Sequence, residues 1–354
     1  MSTVIRRVQA CVDAEVERQR LVLADLGPDV DELLGVCSDL LSGGKRLRAS
    51  FLAWGYGSVS GTHADEVPDA VIELAPAMEF FQAGALLHDD VMDGSDTRRG
   101  APSAHVALAS RHRERAWEGP PDRFGLAGAI LAGNLCLTAA DDLVTRADLP
   151  DLGAARELFS VMRTQLMAGQ FLDVVESVRP WAALATAERL ERADRVLRFK
   201  SAKYSVEHPL LIGALAAQAT ARQRAALSRY GLDVGRAFQL RDDLLGVFGD
   251  PGLTGKPAGD DLREGKRTVL VAATLERLPA SDAARLLDGL GRDDPAVVAE
   301  LQRLIAGSGS VDWVEARIGE LLAGALGALA GAGLSEQGYA ALADLARQAT
   351  QRTA

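Results

Sequence analysis

Apolar residues recur at spacings of three and four along most of the chain, as in LERADRVLRFKSAKYSVEHP and VDWVEARIGELLAGALGAL. That period predicts helix after helix. Ala and Leu dominate, and no apolar run of β-branched residues between turn signals reads as a central strand. Breaks fall near Gly27-Pro28, at GYGSVSGTHADEVPD, at WEGPPDRFG, at ADLPDLG and at GDPGLTGKPAGDD. None resembles a long flexible linker, and no repeat recurs at solenoid periods. The pattern predicts an all-α protein in which residues 1–354 form a single large helical bundle.

Composition narrows the class. With 354 residues, 48% hydrophobic and 25% charged, the chain can bury a sizeable core. Its net charge of −10 argues against a general binder of nucleic acid or of acidic membranes, so any basic cluster is local in purpose. Cys11, Cys37 and Cys136 are widely spaced, with no CxxC and no nearby histidine, which fits a reducing compartment and no structural zinc. The opening MSTVIRRVQACVDAEVERQR lacks the apolar stretch of a signal peptide. No uninterrupted apolar run approaches the ~18 residues of a membrane span. A cytoplasmic protein is expected, without stable membrane insertion.

Candidate chemistry begins at LLHDDVMDGSDTRRG. Asp89 and Asp93 stand four apart and share a helix face, with Asp90 alongside, at the end of the apolar stretch ELAPAMEFFQAGALL. Hard carboxylate oxygens gathered there suit Mg²⁺, which shares its shell with substrate phosphate. Arg98 and Arg99 follow as fork-shaped anion donors. Alone, the stretch also reads as a solvated helix end. A second acidic pair, Asp242 and Asp243, lies in FQLRDDLLGVFGD on another apolar helix. Two such pairs in a helical bundle can face each other across a central cavity and hold divalent ions. Lys256 and Lys266 in GKPAGDDLREGKRT suit a lid over anions, and Lys45, Arg46 and Arg48 adjoin Gly43-Gly44. Lys200 and Ser201 sit in an otherwise apolar helix.

Taken in order, these motifs resemble the trans-isoprenyl diphosphate synthases, the polyprenyl synthetase family. DDVMD is similar to the family's first DDxxD motif and DDLLG to its second. GGKRLR, DTRRG, the KS of FKSAK, the FQ before the second motif and the lid lysines match in sequence and spacing, from about residue 30 to the C-terminus. The resemblance implies Mg²⁺, three ions per site, on Asp89, Asp93 and Asp242, with Asp90 and Asp243 supporting and Asp261 nearby. It implies that Arg98, Lys200 and Lys256 hold an allylic diphosphate (dimethylallyl, geranyl or farnesyl), with Lys266 near its leaving group. Lys45, Arg48, Gln82 and Arg99 would hold isopentenyl diphosphate. Gln239, the Ser201 hydroxyl and the Lys200 carbonyl would face the developing carbocation, and Gln170 and Asp173 would line the same cavity. It also implies a homodimer and no protein base, so His88 is expected to be a helix-end hydrogen bonder.

Several positions depart from the family pattern. Gly246 replaces a frequent third aspartate, which implies altered metal binding at most. Gln82 replaces a frequent His but can still donate to phosphate. Asp141-Asp142 and Asp293-Asp294 have no cationic partner in view and are expected to be solvated surface. For product length, Gly84 and Ala85 are small where an aromatic would stop growth early. Phe81 and Phe80 lie about 12 Å below Asp89 at 1.5 Å per residue and can form a floor below room for about four isoprene units. The alternative is that both are core rings facing away. The expected product is geranylgeranyl diphosphate, with farnesyl or longer products as alternatives. A class I terpene cyclase shares the fold but needs a second metal motif with Ser or Thr where DDLLGVFGD has Gly246 and Glu where it ends in Asp250. A silent regulatory subunit would typically have lost one aspartate motif.

Overall fold

The computed structural model describes residues 2–63, 66–149, 151–250, 252 and 258–351. Helix follows helix, as the apolar period requires. The helices are α1 (Ser2–Leu23), α2 (Asp31–Leu41), α3 (Leu47–Ser60), α4 (Asp69–Leu74), α5 (Pro76–Asp93), α6 (Ala104–Glu114), α7 (Pro121–Arg146) and α8 (Gly153–Val178). Then come α9 (Thr186–Val196), a π-helical stretch (Leu197–Glu207), α10 (His208–Ala216) and α11 (Ala221–Phe248). The last six are α12 (Asp260–Arg263), α13 (Val269–Arg277), α14 (Ala280–Gly289), α15 (Pro295–Gly307), α16 (Ser310–Leu329) and α17 (Glu336–Thr350).

One small hairpin, which the periodicity does not predict, is the sole sheet among the described residues: Thr97–Arg98 pairs antiparallel with Ala101–Pro102. Arg99 and Gly100 turn it, both at positive φ, the backbone of a type I′ turn. That turn separates two adjacent arginines.

Two helices carry the acids, and local chemistry fixes where each begins and ends. Pro76 opens α5 at a position with no need of an N–H, and left-handed Gly94 closes it by donating to the Asp90 carbonyl. Thr220 and Gln223 form a reciprocal capping box that starts α11, and the buried Tyr230 hydroxyl ties it to the Leu342 carbonyl at 2.6 Å. Three apolar clusters fill the interior. One gathers α1, α2, α5, α7 and α8, a second α9 with α11 and α13–α16, and a third α3, α10, α11 and α17. Leu322 packs against the second and third.

Two helical stretches, Asp69–Asp93 and Pro121–Arg146, are long and apolar enough to cross a membrane once the average tolerates scattered polar residues. The first is 72% buried in the bundle, so its apolarity is accounted for by the core. The second is 39% buried and shows an apolar face to the outside.

Candidate active site

The acids of α5 part company by direction. Asp89 accepts from Gln170 at 2.7 Å and meets the Lys200 ammonium at 3.1 Å. Burial alone would raise its pKa, yet Lys200, Lys266 and Arg98 hold it down at about 2. Asp93, one helical turn on, is raised by burial and by the Asp89 charge beside it. Asp90 points the other way, buried, and both Nε (2.9 Å) and Nη2 of Arg98 donate to it. In this arrangement the Asp90 carboxylate orients Arg98, which also lies 4.0 Å from Asp89.

Lys200 arrives from the π-helical stretch, whose widened turns recur at functional sites. It bridges Asp89 and Asp173, the latter at 2.6 Å, and these acids outweigh burial to raise its pKa. Gly169 on α8 makes the approach possible, because a Cβ there would lie 2.5 Å from the Phe199 carbonyl carbon. Ser201 is buried beside it.

The second acidic motif lies on α11. Asp243 is buried and accepts from Gln239 at 2.8 Å, and burial with its neighbours Asp261 and Asp242 drives its pKa well above the carboxylate range. Asp242 is exposed. Lys266 lies between the two motifs: its ammonium reaches Asp93 (3.3 Å) of the first, Asp261 (3.5 Å), which packs against Gly246 of the second, and Glu264. Burial would lower its pKa, but the surrounding acids keep it well above the usual lysine value. The space of the missing third aspartate is filled, since a Cβ at Gly246 would stand 2.0 Å from Asp261 Oδ2.

The other cations form a second group. Arg48 lies over the Tyr204 ring at 4.6 Å and donates to Tyr204 Oη (2.9 Å) and Ser205 Oγ (2.7 Å). Arg99 leaves the hairpin opposite to Arg98 and donates to the Leu40 carbonyl at 2.8 Å beside Gly44. Burial and then Arg46, Arg98 and Arg48 lower its pKa, which marks a locality short of negative charge. Lys45 is exposed there, and Gln82 is half-buried. Arg46, by contrast, is a structural residue, buried against Glu79 at 3.3 Å. Lys256 lies outside the described residues.

Below the acids the two rings diverge. Phe81 lines a cleft between α5, α7 and α8, while Phe80 faces a small void beside Cys37 and Cys136. Of the two rings, Phe81 and not Phe80 lines this cleft. Ala85 is half-buried, whereas Gly84 packs onto α7, where a Cβ would come within 2.8 Å of Leu137. His88 Nε2 donates to the Ile130 carbonyl at 3.0 Å, a helix-to-helix bond. The outlying acids lie at the surface as expected, but not without partners: Asp141 pairs with Arg163 (2.7 Å), Asp142 with Arg18 (3.3 Å) and Asp293 with Arg263 (3.5 Å), and Asp294 caps α15. Sequence reasoning missed Glu264 and Ser95, which join at 2.7 Å and strap the turn after α5 to the segment after the second motif. Its only signal was an acid two residues before Lys266.

Among the described residues no three acids converge into an all-protein metal cage. The carboxylates instead line two walls with lysines between them. Crowded, partly protonation-prone oxygen donors of this kind fit Mg²⁺ held by one or two carboxylates and shared with substrate phosphate.

The polyprenyl synthetase family model matches residues 30–306. A geranylgeranyl pyrophosphate synthase from Corynebacterium glutamicum, solved with isoprenyl diphosphate and magnesium, superposes with a TM-score of 0.91 at 39% identity, covering 98% of each chain. A geranylfarnesyl diphosphate synthase of Aeropyrum pernix is 31% identical over 295 residues, 81% of this chain and 83% of that one. A (2E,6E)-farnesyl diphosphate synthase of Mycobacterium bovis is 32% identical over 305 residues, 84% and 77%. These relatives are named for different product lengths, but their chemistry is shared. The chain belongs to the polyprenyl synthetase family and is a prenyltransferase of the isoprenyl diphosphate synthase type.

Proposed function

We propose that this site joins isopentenyl diphosphate to an allylic diphosphate with Mg²⁺ and releases all-trans geranylgeranyl diphosphate. The observation that carries the reading is Lys266, whose ammonium touches Asp93 of the first motif and Asp261, the acid packed against Gly246 of the second, and so supports one shared diphosphate site between them. Asp89, Asp93 and Asp242 would hold the metal, three ions in all, which when bound neutralises the departing diphosphate. Lys200, Lys266 and Arg98 add fixed positive charge where the leaving group's charge develops. Arg48, Arg99, Lys45 and Gln82 would hold isopentenyl diphosphate apart from these acids.

Chemistry then needs little from the protein beyond position. The allylic C–O bond breaks, the isopentenyl double bond supplies the electron pair of the new C–C bond, and the proton lost goes to the released pyrophosphate. Gln239 and Ser201 offer dipoles to the passing cation without capturing it. His88 is held away by Ile130 and has no part. Ala85 and Phe81 support a channel of intermediate length, as does the name of the Corynebacterium neighbour.

A homodimer is part of this reading. Phe124, Ile130 and Leu131 on α7 and Met167, Phe171 and Val174 on α8 are exposed apolar residues, more than a monomer ordinarily leaves to water. The free cysteines support a cytoplasmic setting.

Incubation with Mg²⁺, isopentenyl diphosphate and each of dimethylallyl, geranyl and farnesyl diphosphate tests the proposal by product chain length. A C20 product is expected. Accumulating farnesyl or longer diphosphates would overturn the length, a cyclic hydrocarbon from one allylic substrate would point to a cyclase, and no turnover would point to a silent subunit.

A further inference from the structure

Arg48, in the first turn of α3, is a buried cation held by neutral partners. Its Nη2 donates to Ser205 Oγ at 2.7 Å and to Tyr204 Oη at 2.9 Å, and its guanidinium lies over the Tyr204 ring at 4.6 Å. A hydroxyl accepts a hydrogen bond but carries no charge, so neither bond answers the cation. Its Nε is buried without a hydrogen-bond partner. Arg48 is also one of the cations that lower the pKa of Arg99. A buried donor with a full charge and no acceptor is costly until an anion meets it.

Both hydroxyls come from the π-helical stretch Leu197–Glu207, which also carries Lys200. Its turns close over five residues, as where the His208 N–H donates to the Lys203 carbonyl. Lys200 and Ser205 are five apart. On an α-helix they would point about 140° away from each other. The π register instead stacks them on one side, so that Lys200 meets Asp89 and Asp173 while Ser205, a turn further on, meets Arg48. Tyr204 is pinned as well, edge-on to Phe81 with ring centres 6.2 Å apart. Ser205 is buried, and it lies a turn beyond the Phe199–Lys200 backbone that Gly169 admits.

We propose that Ser205, helped by the Tyr204 hydroxyl, is a positioning residue for isopentenyl diphosphate, acting through Arg48. This rests on reading Arg48 as a holder of that diphosphate. The two hydroxyls occupy Nη2 and fix the plane of the guanidinium, which leaves Nε to donate to the anion. Neutral anchors suit this task better than a carboxylate would. An acid would cancel the charge that the diphosphate has to meet, whereas a hydroxyl orients the fork and leaves the charge whole. Ser205 has no part in the chemistry at the allylic carbon, so its removal falls on one substrate.

The test uses the full chain with Mg²⁺ and measures KM for isopentenyl diphosphate and for farnesyl diphosphate separately. Ser205→Ala, which deletes one oxygen, should raise KM for isopentenyl diphosphate about 10-fold, the scale of one hydrogen bond to a charged group, and leave KM for farnesyl diphosphate nearly as it was. Ser205→Thr, which keeps the hydroxyl, should restore the wild-type value. Tyr204→Phe, which keeps the ring on Phe81, should raise the same KM by less. Arg48→Gln should raise it by more than Ser205→Ala does, and adding Ser205→Ala to Arg48→Gln should change nothing further, because the partner it works through is gone. An unchanged KM for Ser205→Ala, or equal rises for both substrates, would overturn the positioning role while the Arg48 reading stands. A full Ser205→Ala effect in the Arg48→Gln background would overturn the route through Arg48. Arg48→Gln without effect on isopentenyl diphosphate would overturn the reading beneath it. Thermal melts of each variant separate misfolding from altered binding.

Discussion

Single residues at this site are legible only through their neighbours. Gly246 looks like a defect beside relatives with an aspartate there, yet the Asp261 carboxylate fills that space. A side chain at 246 must therefore move Asp261 and, with it, one partner of Lys266. Gly246→Asp, which restores the commoner family residue, should lower activity and raise the half-saturating Mg²⁺ concentration by about 10–100-fold, the scale seen when groups that orient a metal ligand are lost. Steady-state rates against Mg²⁺ check this, with the Mg²⁺- and pyrophosphate-induced rise in melting temperature as a readout independent of turnover. A gain of activity would mean that position 246 has room for the acid. The adjacent arginines teach the same lesson. Their pairing with different surroundings comes from the two positive-φ residues of the hairpin turn, and no side-chain property distinguishes Arg98 from Arg99.

At the scale of elements, the site depends on close contact between α8 and the π-helical stretch. Gly169 lets the two backbones meet where Lys200 turns inward between Asp89 and Asp173. Gly169→Ala should push the stretch outward and take Lys200 from its acids. A displacement near 1 Å costs on the order of 100-fold in rate in a positioned site. The expected loss should fall in kcat and in the KM for the allylic substrate, with the KM for isopentenyl diphosphate little changed because Arg48 and Arg99 lie elsewhere. Equal changes in both KM values would indicate general loosening instead. The apolar period predicts a helix across 197–207, but the extra residue per turn is set by the packing on α8 and α11, which no local pattern records.

The whole molecule adds two consequences. His208 is buried in the interior, and burial, with Lys203, lowers its pKa to about 3 from a usual value of 6.5. The unfolded chain therefore takes up a proton at a pH where the folded chain does not. Proton uptake by the unfolded chain favours unfolding, so stability is full above pH 6.5 and falls as the pH drops from 6.5 towards 3, by at most about 1.4 kcal/mol per pH unit. Denaturant midpoints between pH 7.5 and 5 should fall with pH, and His208→Asn should flatten that slope; an unchanged slope would remove His208 from the account. The exposed face of α7 and α8 is the other consequence. Leu131, 57% exposed, should matter little to the isolated fold, so Leu131→Glu should convert a dimer to monomer in sedimentation while leaving helix content unchanged. Sedimentation of the wild type as a monomer would end the dimer reading.

The sequence by itself determined the helical class, the two acidic motifs and the family, because helix period and motif spacing are local properties that survive without coordinates. It also placed Lys200 and Lys266 among the candidates. Tertiary structure decided which charges meet. Asp90 accepts from Arg98 and surface Asp141 pairs with Arg163, partners the sequence did not show because they lie on hairpins or helices whose relative rotation one period cannot give. It also decided that Phe80 and Phe81, neighbours in sequence, line different cavities beside α5. Successive residues on a helix point about 100° apart, so which of them meets the channel depends on where α7 and α8 come to rest.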